Sequence, residues 1–284
     1  MRSSGPHALL LAGALALPVA MLTVACGPSR SAAATQTTPA AFEVSKSDAK
    51  AVAIADQVIA AVGGEAGWAK AKQISFTEKV VIDGQEKVNV HHDWDRWNGR
   101  HRFEKTDAVS KQGLMVGYEQ FGDAAFGEID EHSDIPRDQV TKMKGEAQKR
   151  FGIDAFNLVM PFKLKDPGVT LKYVEERAEP AAPDKPVYDV IKMTFEQGVG
   201  PTPGDVYYVV VDKTSHLIHH IEFVEQGKSD EQRIGYKFDD WQDIGGLKLS
   251  LKRQNIGYAA EQIEFTDVKV TPEVNEELFV PGVK

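Results

Sequence analysis

The chain has 284 residues, of which 42% are hydrophobic and 26% charged, and a net charge of −9. These values describe a globular protein with room for one large domain or two small ones, not a disordered tail. With 33 Lys and Arg against 42 Asp and Glu it is no general nucleic-acid binder, because affinity for phosphate rests on cations.

The first 26 residues carry one charge, Arg2, followed by the uncharged run HALLLAGALALPVAMLTVA with Pro18 inside it. That is the pattern of a secretory signal, and the proline and the small residues at its end argue against a lasting membrane span. Cys26, the only cysteine, stands directly after Leu22-Thr23-Val24-Ala25. The arrangement resembles a bacterial lipobox, in which the cysteine becomes the lipidated first residue, although Thr23 holds a place that is normally aliphatic. The resemblance implies attachment to the membrane through a lipid anchor at Cys26, and Gly27 after it implies the outer membrane, facing the periplasm. Ordinary signal-peptidase cleavage with plain secretion is the alternative reading. Either leaves the rest of the chain without a thiol for a disulfide, thiol catalysis or a cysteine metal site.

Residues 27–46, rich in Ala, Ser, Thr and Pro, read as a flexible linker. Ser47 is placed to cap a helix through DAKAVAIADQVIAAV, whose apolar stripe is Val52, Ala55, Val58, Ile59 and Val62. Gly63-Gly64 ends it, and EAGWAKAK predicts a short second helix. From Ile74 the period becomes two: Ile74, Phe76, Val80 and Ile82 alternate with more polar residues up to the turn signal Asp83-Gly84. Val88, Val90, His92 and Trp94 continue the alternation to Asn98-Gly99. GLMVGYEQF and AAFGEIDE form a further hairpin about Gly122-Asp123. Residues 136–164 predict one helix and then a shorter, strongly apolar one closed by Pro161. Strands resume after it and run to the C-terminus. The sum is about eleven strands in a mostly antiparallel α+β fold, a curled half-barrel sheet with helices covering its concave face, in a single domain over 47–284.

Residues 91–104, HHDWDRWNGRHRFE, concentrate histidines, carboxylates, arginines and tryptophans. A two-residue Asn-Gly turn would set Trp97 opposite Arg100, Asp95 opposite Arg102, Trp94 opposite Phe103 and Asp93 opposite Glu104. Most of the stretch is then cross-strand pair chemistry. The exception is Asp93 against Glu104, a carboxylate pair that in a cleft could serve acid–base catalysis. HLIHH, 216–220, reads as strand after a turn, where histidines four apart stand too far apart to share a metal. GVGPTPGD, 198–205, lacks the Lys-Ser/Thr of a phosphate loop. No catalytic residue, metal site or cofactor is assigned on these patterns.

The order of parts is similar to the LolA/LolB-like superfamily of bacterial lipoprotein carriers and receptors. HDWDRWNGRHRFE, NLVMPFKLKDPGV, FEQGVGPTPGDVYYVVVDKTS and the closing FTDVKVTPEVNEELFVPG look like a branch of bacterial lipoproteins within it. The resemblance implies a half-barrel whose apolar interior, covered by helices, receives acyl chains without catalysis. The carriers' arginine that contacts the covering helices is not assignable by motif among Arg96, Arg100 and Arg102. Trp94, Phe103, Phe156, Met160 and Phe162 are the candidate ligand-binding wall, and helix 151–164 the candidate gate. The expected ligand is a lipid or an acylated protein. The rival readings are an envelope interaction or sensor module with a filled interior and a protein partner, and a hydrolase working through Asp93 and Glu104.

Overall fold

The computed structural model describes residues 41–282 except 108, 181 and 183, so the predicted signal sequence, Cys26 and residues 27–40 of the predicted linker lie outside the described residues. Two helices, α1 (Ala49–Ala61) and α2 (Gly64–Lys70), lead into five strands: β1 (Gln73–Ile82), β2 (Gln85–Asp95), β3 (Arg100–Thr106), β4 (Gly113–Glu119) and β5 (Ala125–Ile129). The long helix α3 (Arg137–Lys163) follows. Seven strands complete the chain: β6 (Val169–Ala178), β7 (Val187–Phe195), β8 (Val206–Asp212), β9 (Ile218–Val224), β10 (Ile234–Ile244), β11 (Leu247–Asn255) and β12 (Glu261–Thr271). The strands form one open, antiparallel twelve-stranded sheet in the order β5-β4-β3-β2-β1-β12-β11-β10-β9-β8-β7-β6. The α+β half-barrel expected from the strand pattern is therefore observed, with twelve strands rather than about eleven. Among the described residues no helix is long and apolar enough to cross a membrane.

The first meander runs outward from the β1–β12 seam and the second starts at the far edge and returns to it, so β5 and β6 are the free edges and α3 connects them. At 27 residues α3 is about 40 Å long, enough to cross the sheet. Ser47 and Asp48 do not cap α1 through their side chains. Ser47 Oγ accepts from Leu171 N at 2.9 Å and Asp48 Oδ2 from Tyr173 N at 3.0 Å, while Asp48 N donates to Leu171 O. The entering segment thus covers the start of edge strand β6, which would otherwise present unpaired amides. Phe42, inside the segment read as linker, packs on the core. α1 buries Ala51, Ile54, Ala55, Val58 and Ile59, so its inward stripe is rotated from the predicted one and Val52 is only half-buried. At the α1–α2 corner Gly63 has φ +117°, and a Cβ there would stand 2.4 Å from Gly246 O in the β10–β11 turn. Only glycine permits both the angle and the approach.

Two turns with similar sequences fold differently. Asp83-Gly84 has both φ values positive and joins Ile82 directly to Gln85, the expected two-residue hairpin. Asn98-Gly99 does not. Asp95 Oδ1 accepts from the amides of Trp97 and Asn98, and Oδ2 takes Asn98 Nδ2 and Arg100 Nε. That capture makes a four-residue loop and moves the register by two: Asp95 pairs with Arg100, Trp94 with His101, Asp93 with Arg102, His92 with Phe103 and His91 with Glu104. A two-residue shift keeps every side chain on its face, so Trp94 and Phe103 still point to the helices.

Candidate ligand-binding site

The two halves of α3 sit on the concave face in different ways. From Phe151 onward the helix buries Phe151, Ala155, Phe156, Leu158, Val159, Met160 and Phe162. Phe156 and Met160 pack with Ile54 and Val58 of α1 and with Ile191 and Val209. Phe162, Leu158 and Phe151 pack with Trp94, Phe76, Leu249 and Phe265. The concave face beneath this half is filled by side chains. The helix also runs through Pro161 instead of stopping before it, with a kink at Val159 (φ −108°, ψ 22°). Pro161 has no N–H to offer Asn157 O, its normal partner one turn back. Arg253 Nη2 on β11 donates to that carbonyl at 2.7 Å. Arg253 is buried, stacks on Phe238 at 3.4 Å and also donates to Ser250 O, Ser250 Oγ and Lys252 O. Burial brings its pKa down to about 9.

All five predicted wall residues are buried, none more than 9% exposed, and they fall in three clusters. Trp94 and Phe162 meet through Trp68, which stacks on Phe162 at 4.5 Å and edges Trp94 at 6.2 Å. Phe156 and Met160 meet in the neighbouring cluster. Phe103 stands apart, beside an open cleft. The segment expected as the gate, 151–164, is the most deeply seated part of the helix.

The N-terminal half, up to Arg150, is held by less. Ala147, Val140 and Met143 rest on Val90, Phe103, Val116 and Tyr118. Between this half and β2–β3 lies a cleft of about 470 Å³, with Val88, Val90 and Phe103 as apolar floor and Ile153, 45% exposed, on the helix side. Its size falls within the roughly 300–1,000 Å³ common to small-molecule sites. Lys87, Lys105, Lys149 and Arg150 stand around it with Asp107 and with Glu146, which pairs with Lys105, so that cations outnumber anions four to two at the rim. A second, larger groove of about 1120 Å³ occupies the opposite face of the same strands. Thr77, Asn89, His91, Arg102 and Glu104 line it together with Val88, Leu114 and Met115, a mixed surface in which charged groups stand between the apolar ones.

A buried charged seam lies behind the cleft. Arg150 Nε donates to Asp154 Oδ2 at 2.7 Å, its Nη2 pairs with Glu78 on β1, and His92 Nε2 lies 3.0 Å from Asp154 Oδ2. Glu78, His92 and Asp154 are almost wholly buried, while the Arg150 side chain is 29% exposed. Burial raises Glu78 to about 8 and the neighbouring Asp154 charge adds to it, against the pull of Arg150. Burial likewise raises Asp154 to about 6, opposed by Arg150. Burial lowers His92 to about 3, so its ring is neutral and its proton sits on Nε2, donating to Asp154. His101, against Phe151 and Tyr118, is also held neutral by burial. None of these groups was singled out as a site from the sequence. One signal was there: Glu78 interrupts the inward series Ile74, Phe76, Val80 with a carboxylate.

The arginines considered for the helix contact divide. Arg96 does reach a helix, donating to the C-terminal carbonyls of α2 at Trp68 (2.8 Å) and Ala71 and stacking on Trp68 at 3.4 Å. Arg100 binds Asp95 and Glu276, and Arg102 binds Glu104. Arg253 is the one that holds α3, and no motif marks it.

The register also removes the expected like-charge pair, since Asp93 faces Arg102 and not Glu104. Asp93 is buried, which opposes ionisation, but hydrogen bonds from His91 and from Ser75 Oγ at 2.6 Å outweigh this and hold its pKa below the usual range. An ionised carboxylate with engaged oxygens has no proton to give as a general acid. In HLIHH, His216 sits in the turn with φ +58°, and His220 lies 3.2 Å from Glu222, which Arg177 and Arg233 also clasp. Those contacts, His220 first, bring Glu222 down to about 2.

No family model matches the sequence, and no curated protein matches it either. The chain is similar in fold to a LolA superfamily protein from Nitrosomonas europaea (10% identity, 81% of this chain and 97% of that one, TM-score 0.44). It is similar to an outer membrane lipoprotein-sorting protein domain from Vibrio parahaemolyticus (11% identity, 81% and 96%, TM-score 0.44). A DUF1329 family protein from Desulfovibrio piger gives 9% identity, 82% and 99% coverage, and a TM-score of 0.41. These likenesses concern the course of the chain and assign no residue a role.

Proposed function

We propose that this is a non-enzymatic binding protein of the bacterial cell envelope, exported by residues 1–26, held to the outer membrane through Cys26, and taking a lipid or acylated ligand under α3. The observation that carries the reading is the cleft beside Phe103, apolar on its floor, cationic at its rim and roofed by the weakly seated half of α3. Each methylene buried there contributes about 0.8 kcal/mol. Trp94, Phe156, Met160 and Phe162 join the wall only when the apolar half of α3 also lifts, so the first contact with a ligand falls to Phe103, Val90 and Ile153.

Native mass spectrometry tests it on protein secreted to the periplasm with Cys26→Ser. A co-purifying mass of a fatty acid or phospholipid, displaced by Phe103→Trp, is the expected result. A bare protein that also takes up no acyl probe would overturn it.

The filled interior beneath 151–163 favours a second reading, an envelope interaction module whose helices never leave the sheet. Cross-linking α3 to β11 through engineered cysteines at Asn157 and Ser250 distinguishes the two. The module keeps its protein partner when locked, whereas a carrier loses acyl uptake beyond the open cleft.

A further inference from the structure

Arg150 belongs to two environments at once. It lines the cleft, and from there it reaches back to Glu78 and Asp154. A guanidinium has five N–H donors in a planar fork, and these carboxylates engage Nε and Nη2, so donors remain for an acceptor in the cleft. Lys87 and Lys149 add positive charge at the same rim. The groups facing the seam are Glu78 on β1, His92 on β2, His101 and Lys105 on β3, Arg253 on β11, and Glu146 on α3 itself, with Asp107 at the rim of the cleft, while His91 and Asp93 lie on the other face of β2. Of these His92 and His101 are neutral, Asp93 is paired with His91, and Lys105 with Glu146. The charge balance at the seam therefore turns on Arg150, with Arg253 near enough to Glu78 to add its charge, against Asp154 and Glu78.

Taking the cleft as the acyl site, we infer that its ligand is a single-chain anionic amphiphile whose head group is read by Arg150, and that binding draws one proton onto the Asp154–Glu78 pair. Two anions sharing one guanidinium disfavour each other's ionisation, and the one buried behind the arginine is the one that takes the proton. The proton comes from solvent and leaves when the ligand does. Affinity for an anion of fixed charge must then rise as pH falls.

Isothermal titration on the intact soluble protein tests this with three probes: dodecanesulfonate below its micelle point, dodecyl maltoside and inorganic sulfate. Dodecanesulfonate stays ionised throughout, so any pH dependence belongs to the protein. The expected result is sulfonate binding that tightens about tenfold per pH unit from 7.5 to 6.5, with the maltoside at least tenfold weaker and flat. Asp154→Asn combined with Glu78→Gln should flatten the sulfonate profile at its acid-limit affinity, a gain that simple destabilisation does not produce. Arg150→Gln should bring the sulfonate down to the maltoside; if that variant does not fold, the profile of the Asp154→Asn, Glu78→Gln protein decides. Sulfonate and maltoside binding alike at every pH overturns the inference and leaves the cleft reading intact. Sulfate binding as well as the sulfonate overturns the amphiphile and points to a free-anion site. If neither chain-bearing probe binds, the cleft reading falls and takes the inference with it.

Discussion

The two halves of α3 belong to one helix yet are attached by different physics. From Phe151 to Lys163 it is held by apolar side chains interleaved with α1 and the strands, and by Arg253 on a carbonyl that Pro161 leaves free. From Arg137 to Arg150 it is held by three apolar residues, by ion pairs to Glu78 and Lys105, and by Lys144 donating to Gly122 O at 2.6 Å. Close packing is unforgiving of displacement, since every atom that moves loses its neighbours. An ionic seam can exchange partners with water or a ligand. A helix fastened by packing at one end and by charge at the other is suited to lift at the charged end.

Four outcomes break or sharpen this contrast. The largest is expected from Phe156→Ala, which removes a buried ring from the packed half and should cost about 3–5 kcal/mol in urea unfolding. A cost below 1 kcal/mol would mean that this half is not the anchor. Next is the pair Arg253→Met and Pro161→Ala. Alone, Arg253→Met strands Asn157 O and should cost about 1–3 kcal/mol. With Pro161→Ala supplying an amide to that carbonyl, the cost should fall by about 1 kcal/mol, and additivity would show that the two residues are not linked.

Third is the pH response of stability. Glu78 is raised from 4.5 to about 8, so the stability it contributes is complete below 4.5 and is lost as pH rises through about 8. His92 and His101 are lowered and act in the opposite sense, but only below 6.5. Asp154, raised to about 6, has largely titrated by then. His91, raised against burial by its hydrogen bond to Asp93, adds a loss of the same sign above 6.5. From pH 6.5 to 8, therefore, Tm should fall, and Glu78→Gln should make that fall shallower without abolishing it. The same slope in the variant would remove Glu78 from the seam. The smallest effect is expected from Met143→Ala on the loosely seated half, about 1 kcal/mol or less. Its companion measurement is hydrogen exchange, in which amides of 141–149 should open at lower free energy than those of 154–160.

The fold was readable in the sequence because strand faces follow a period of two, and that period survives errors of pairing. The hairpin over 91–104 shows the limit. Its faces were assigned correctly, while the pairs were displaced by two because Asp95 takes the turn amides that an Asn-Gly turn would leave to the backbone. Pro161 misled for a related reason: a proline ends a helix only when the carbonyl it abandons finds no other donor, and Arg253 lies almost a hundred residues away in sequence. The seam was harder still. Glu78, His92, Arg150 and Asp154 come from three elements, and only the spacing of Arg150 and Asp154, one helical turn apart beside Phe151 and Ala155, carries any local sign that charge is turned inward.

The β1–β12 seam has a bearing on how the protein is made. Gln73, near the beginning of the sheet, pairs with Thr271, near its end, and these two strands are neighbours at its centre. During synthesis β1 carries β2 on one side and an open edge on the other until the last strand emerges. Contacts this distant in sequence slow folding and leave strand edges exposed meanwhile. Truncation before Glu261 would therefore not trim the sheet but divide it, leaving two meanders joined only by helices.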